Sequence, residues 1–134
     1  MADARLRSPL GRAIGLGSAK EGVAHWWAQR VSAVALVLLG LWFAAALIAH
    51  AGADRAAVIA WLQAPLPAIL AILLLIALFY HAALGLQVVI EDYAHSEWLK
   101  VSSLVAMRLI CFALAVAGIY AVLRIAALPA TIGG

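Results

Sequence analysis

Two long stretches of this sequence carry no charged residue, and nothing else about it constrains the fold so tightly. Val31 to Ala53 contains no Asp, Glu, Lys or Arg, and neither does Ala56 to Ile90. From Val101 to Leu123 the one charge is Arg108. A helix crosses a bilayer with about 20 apolar residues, so three crossings fit. Of the 134 residues, 68% are hydrophobic and 11% charged. That leaves too little polar surface for a water-soluble domain. The expected class is an all-α membrane protein with three transmembrane helices.

A signal-peptide core runs about 7–15 residues and ends at a small-residue cleavage site. Val31 to Ala49 is longer and begins thirty residues in, so it reads as a signal-anchor span. The expected division is an N-terminal segment over 1–23, an anchor over 24–128 and a tail over 129–134. Within the anchor, spans are expected at about 24–49, 66–90 and 101–128, with Gly40 as a close-packing point in the first. Ala56 to Gln63 reads as a short interfacial stretch with Trp61 at headgroup depth. Pro65 and Pro67 suit the first turn of the second span, where missing amide donors cost least. Pro129 and Gly133-Gly134 close the third.

Arg5, Arg7, Arg12, Lys20 and Arg30 precede the first span against Asp3 and Glu21. The first connection has a single Arg55, offset by Asp54. The positive-inside rule therefore puts the N-terminus in the cytoplasm. The Glu91–Lys100 loop shares that side, and Arg124 snorkels to the opposite surface. No clear amphipathic transit peptide is present, which favours a bacterial inner membrane over a mitochondrial one. The net charge of +3 is small and scattered, so nucleic acid is not an expected partner. Cys111 is the single cysteine, which excludes an internal disulfide, a CxxC pair and a CxxCH site for covalent haem. There is no inverted repeat or pair of broken helices of the transporter kind. With no water-soluble domain, the chain reads as one subunit of a larger assembly.

His81 is the residue this composition does not explain. It lies nine residues before Ile90, about 14 Å below the boundary at 1.5 Å per residue, near the midplane of a core about 30 Å thick. An ionisable group so deep is costly and marks function by default. The alternative is a neutral histidine hydrogen-bonded to a neighbouring helix. Gly85 lies four residues on, about 40° away on the same face, and its missing side chain leaves room for a flat macrocycle. Asp92 is about 20° off that face and about 16 Å higher. Without CxxCH, a haem here is non-covalent and b-type. His50 sits at the opposite surface, and His25 and His95 on the cytoplasmic side, so a second iron ligand is expected from another subunit.

His81-x3-Gly85-x6-Asp92-Tyr93 resembles the signature of the succinate dehydrogenase membrane anchor, the D-type cytochrome b anchor of respiratory complex II. His25-Trp26-Trp27-Ala28-Gln29-Arg30-Val31-Ser32-Ala33-Val34-Ala35-Leu36 resembles the entry to that subunit's first helix. Three spans and a cytoplasmic N-terminus agree, so the resemblance covers most of the chain.

The resemblance implies half of a two-subunit anchor bundle. His81 is then one axial ligand of haem b, and a C-type cytochrome b anchor subunit supplies the other. Tyr93 hydrogen-bonds a ubiquinone carbonyl oxygen, a bond that strengthens as that oxygen gains electron density. Asp92 orients a partner arginine or helps relay protons. Arg30 and His25 match positions near the haem propionates, and a guanidinium suits carboxylates at a membrane surface. Simpler roles stand beside these: an interfacial belt for Tyr93, Trp26 and Trp27, snorkelling for Arg30 and Arg108, and a back-bond to its own helix for Ser32. The cytoplasmic loop with Glu91, His95, Glu97, Trp98 and Lys100 is expected to help dock the iron–sulfur subunit. Succinate oxidation, a step of the tricarboxylic acid cycle, belongs to the flavoprotein subunit, and this chain alone is not a catalyst. Two rival readings are a menaquinone-linked fumarate reductase anchor and a haem-free assembly or transport subunit, the latter with no Soret band.

Overall fold

The computed structural model describes residues 17–129, with side chains from Glu21 onward. The basic residues Arg5, Arg7 and Arg12 and the closing Gly133-Gly134 lie outside the described residues, as does the side chain of Lys20. The described chain is all-helical: α1 (Gly17–Ala49), α2 (Arg55–Gln63), α3 (Pro65–Tyr93) and α4 (Glu97–Ala126). Of these, α1, α3 and α4 are long and apolar enough to cross a membrane, in agreement with the three expected spans.

The helix ends follow local chemistry. Asp54 caps α2, its side chain accepting from the Ala57 amide at 2.8 Å. Such a cap satisfies one of the four amides a helix N-terminus leaves free. Ser96 caps α4 by accepting from the Leu99 amide at 3.2 Å. Glu97 in the first turn and Arg124 in the last complement the helix dipole. At the start of α3 no side chain caps; Pro65 takes the first helical position instead, where a missing N–H costs least. Hydropathy marks only the hydrocarbon-embedded part of a helix, so the helices outrun the expected spans on the side of the α3–α4 connection, while the third stops at Ala126 rather than 128. The second continues from 90 to Tyr93 and the third begins at Glu97 rather than 101. The connection between them shrinks to Ala94–Ser96.

α3 is the central helix, flanked by α1 and α4. Ser32 faces His81 and Gln29 faces Gly85, so earlier residues of α1 meet later residues of α3 and the two run antiparallel. Arg108 meets Gln87 and Gly118 meets Leu75, which makes α3 and α4 antiparallel too. α2 folds back at the end opposite the α3–α4 connection. Trp61 stacks on Trp42 at 5.9 Å between centroids and lies 4.8 Å from the His50 ring. Gln63 Nε2 donates to the Leu128 carbonyl at 2.9 Å, tying α2 to the end of α4.

The close approach between helices falls at Gly118, where an added Cβ would stand 3.0 Å from Leu75 Cδ1. Gly40, expected to be a packing point, has nothing within 4 Å of that position. Small residues let membrane helices approach, but sequence alone does not say which small residue faces a neighbour. Among the described residues only Ala68, Met107 and Ser32 are buried, so nearly all the apolar surface faces outward.

Candidate functional site

α3 spans 29 residues, about 44 Å at 1.5 Å per residue. His81 lies sixteen residues after Pro65 and twelve before Tyr93, close to the helix centre. Its side chain turns toward α1. There Ser32, the one buried polar residue among those described at 5% exposure, places Oγ 2.9 Å from His81 Nδ1. The same hydroxyl lies 3.1 Å from the Gln29 carbonyl oxygen in the preceding turn. The interhelical hydrogen bond and the helix back-bond weighed for these residues are both present, on one hydroxyl.

Beside this contact a cavity of ≈650 Å³ opens between the two helices. α1 contributes Gly22, His25, Gln29, Arg30 and Ala33 to it, and α3 contributes His81, Gly85 and Val88. Four residues singled out from sequence, His25, Arg30, His81 and Gly85, thus line one space although they are up to 60 positions apart. At Gly85 an added Cβ would meet only Gln29 Nε2, at 3.9 Å, so this wall is bare backbone with room in front of it. Two buried atoms of the lining, His25 Nε2 and Gln29 Oε1, have no hydrogen-bond partner. Unpaired buried polar atoms are uncommon and call for an explanation. Both atoms are turned away from the open space, so a ligand in the cavity would meet them only after their side chains rotate. The Arg30 guanidinium stands over the Trp26 ring at 5.4 Å, which holds its charge at the rim. Trp26 in turn meets Trp27 edge-on at 5.3 Å.

Asp92 and Tyr93 do not line this cavity. They sit in the last turn of α3, both exposed, with Tyr93 at 77%. The His95 ring nitrogen Nδ1 donates to the Tyr93 carbonyl at 2.9 Å, which ties down the turn while leaving the phenol free. On the α4 side a separate polar line runs along α3. Arg108 Nη2 donates to Gln87 Oε1 at 3.1 Å, and Gln87 Nε2 donates to Glu91 Oε1 at 2.9 Å. Arg108 therefore has a partner within the chain, which sequence reasoning did not supply.

Sequence reasoning also passed over Gln29 and gave Ser32 only a back-bond to its own helix. A signal for both existed in the 3-4-3 spacing of Gly22, His25, Gln29 and Ser32, which places them within about 80° on one helix face.

The cavity suits a flat prosthetic group bearing carboxylates. It offers one imidazole, a side-chain gap one turn along and a cation at the rim. Among the described residues no cluster of three or more His, Cys, Asp or Glu could hold a bare metal ion.

Residues 4–123 match the family described as succinate dehydrogenase/fumarate reductase transmembrane subunit. The chain is 38% identical over 116 residues to the succinate dehydrogenase hydrophobic membrane anchor subunit of Rickettsia bellii, covering 87% of this chain and 93% of that one. It is 32% identical over 120 residues to the protein of the same name from Paracoccus denitrificans, covering 90% and 92%. A third, from Rickettsia conorii, is 32% identical over 106 residues, covering 78% and 84%. No solved structure matches the chain significantly.

Proposed function

The chain belongs to the succinate dehydrogenase/fumarate reductase transmembrane subunit family, and on that premise we propose that it helps build a haem b site and a ubiquinone site in succinate:ubiquinone oxidoreductase. It is a multi-pass membrane anchor, and its place in this reading is a bacterial inner membrane with the N-terminus cytoplasmic. The observation that carries the reading is the single cavity joining His25, Arg30, His81 and Gly85 across α1 and α3.

His81 would hold the iron through its imidazole, which turns toward the cavity beside Ser32. Gly85 leaves the macrocycle room against the α3 backbone. Arg30 and His25 take the propionates, the guanidinium offering two parallel donors to a carboxylate. Of the two histidines lining the cavity, His81 is the one near the helix centre, so a C-type cytochrome b anchor subunit would supply the other ligand. When bound, the haem supplies a one-electron centre whose potential follows its axial ligands and their hydrogen bonds.

Tyr93 lies twelve residues beyond His81, about 18 Å along the helix. Its exposed phenol donates to a ubiquinone carbonyl oxygen, and Asp92 beside it orients the partner's cation or passes protons. The iron–sulfur subunit docks against the α3–α4 connection and delivers the electrons that the flavoprotein subunit takes from succinate. This chain's share is to position quinone, hold half the haem and tether the soluble subunits.

The test is a dithionite-reduced minus oxidised spectrum of the purified membrane complex, wild type beside His81→Ala. A b-type α-band lost or displaced in the variant is the expected result. A wild-type complex without haem, or an unchanged band in the variant, would sink the ligand assignment.

A further inference from the structure

The contact between Ser32 and His81 decides something that the proposed ligation leaves open, namely which ring nitrogen faces the cavity. A serine hydroxyl has one proton and two acceptor sites. Ser32 Oγ stands 3.1 Å from the Gln29 carbonyl oxygen and 2.9 Å from His81 Nδ1. In the bond to Gln29 the hydroxyl must be the donor, because a carbonyl has no proton to give. The hydroxyl proton therefore points at Gln29, the back-bonding geometry serine adopts inside helices. Toward His81 the oxygen then has only lone pairs, so Nδ1 carries the proton and donates. In a neutral imidazole that leaves Nε2 deprotonated, with its lone pair free.

We infer that Ser32 is a positioning residue: it fixes the tautomer and ring orientation of His81 so that Nε2 is presented to the cavity as a ligand. The inference rests on the reading of His81 as a haem ligand and adds a residue to it. Its physical content is the outer-shell rule that a histidine ligand donates its other N–H to an acceptor, which orients the ring and makes the ligating nitrogen more basic. Ser32 suits the task because it is buried at 5% exposure, where water does not compete for the hydrogen bond.

The experiment uses the assembled, haem-loaded complex with Ser32→Ala, Ser32→Thr and Ser32→Val. Thr and Val have nearly the same shape and differ in the hydroxyl, so the pair separates hydrogen bonding from packing. The readouts are the rate of haem transfer to excess apomyoglobin, the haem midpoint potential and the low-spin g-values of the oxidised haem. Haem loss is expected to accelerate about tenfold in Ala and Val, the low end of outer-shell effects. The midpoint potential rises in both, because a less basic imidazole stabilises the ferric state less. Thr matches wild type.

Wild-type rates, potentials and g-values in Ala and Val would overturn the inference. So would a Thr variant as perturbed as Val, which would assign the effect to shape. Assembly of Thr alone, with Ala and Val failing to assemble, would assign the hydroxyl to folding and overturn it as well. His81→Ala run in parallel separates the levels. If it loses the band while every Ser32 variant stays normal, only this inference fails; if it keeps the band, the ligand reading fails first.

Discussion

The same substitution at two glycines on the faces of α3 and α4 should have opposite consequences. At Gly118 an added Cβ already stands 3.0 Å and 3.1 Å from the two Leu75 methyls. Gly118→Leu puts three further carbons into that contact, and such overpacking costs about 1–3 kcal/mol. Replacing a helical glycine returns about 1 kcal/mol of propensity, so the net is a loss of up to about 2 kcal/mol. At Gly85 the added Cβ meets one atom at 3.9 Å, an ordinary contact, and the rest of the side chain extends into the cavity. Gly85→Leu is therefore expected to gain up to about 1 kcal/mol in the helix while filling the space assigned to the macrocycle. The assay is thermal unfolding of the detergent-solubilised complex together with haem content by pyridine haemochrome. Gly118→Leu should lower the unfolding temperature and keep haem in whatever complex survives. Gly85→Leu should assemble, with haem content falling several-fold. Full haem with an unshifted spectrum in Gly85→Leu would refute the claim that this gap receives the prosthetic group. Failure of the Gly85→Leu chain to assemble would refute the claim that the gap is open within the chain.

Tyr93→Phe removes the proposed donor to quinone without touching the cavity, so quinone reduction by the complex should slow about fivefold, the worth of a net hydrogen bond of about 1 kcal/mol, with the haem spectrum unchanged. An unaltered rate at limiting quinone would return Tyr93 to the interfacial belt. Asp54→Ala removes the side-chain cap on the Ala57 amide and should cost about 1 kcal/mol, seen as faster amide exchange confined to α2; uniform exchange across the bundle would contradict a local cap.

The spans were legible because the bilayer imposes a length on any charge-free stretch, and α1, α3 and α4 each fill it. Their ends were less so. Glu91, Asp92, Glu97 and Lys100 read as loop because they are polar, yet all four lie in helix, since a helix continues through the headgroups after its apolar part stops. His81 and Gly85 were singled out through residue type and spacing, Arg30 and His25 through the family resemblance, and the structure brings the four to one cavity. Ser32 and Gln29 were not singled out, because their roles depend on interhelical register, and that register is set by packing between two helices. Beyond Ser32 the span of α1 is apolar around its whole circumference, so only the short line of Gly22, His25, Gln29 and Ser32 marks the side that meets α3. The confusion of Gly40 with Gly118 has the same origin: both are small residues in apolar helices, and only the second faces a neighbour.

The central helix also explains why one chain would serve two sites and still need a partner. α3 turns His81 and Gly85 toward α1 and Gln87 toward α4, where Arg108 meets it. The cavity and the Gln87–Glu91–Arg108 line therefore occupy different sides of the same rod. Each is held by an antiparallel neighbour, so each keeps its geometry if the other is disturbed. With three residues buried among those described, these three helices make too little contact to account for their own apolar surface. Lipid can cover such surface, but under the proposed function lipid could not provide a second nitrogen to an iron that His81 would hold. A further helix carrying a ligating side chain, set against the open side of the cavity, would both cover apolar surface and supply that nitrogen. That is the physical ground for reading this chain as half of an anchor.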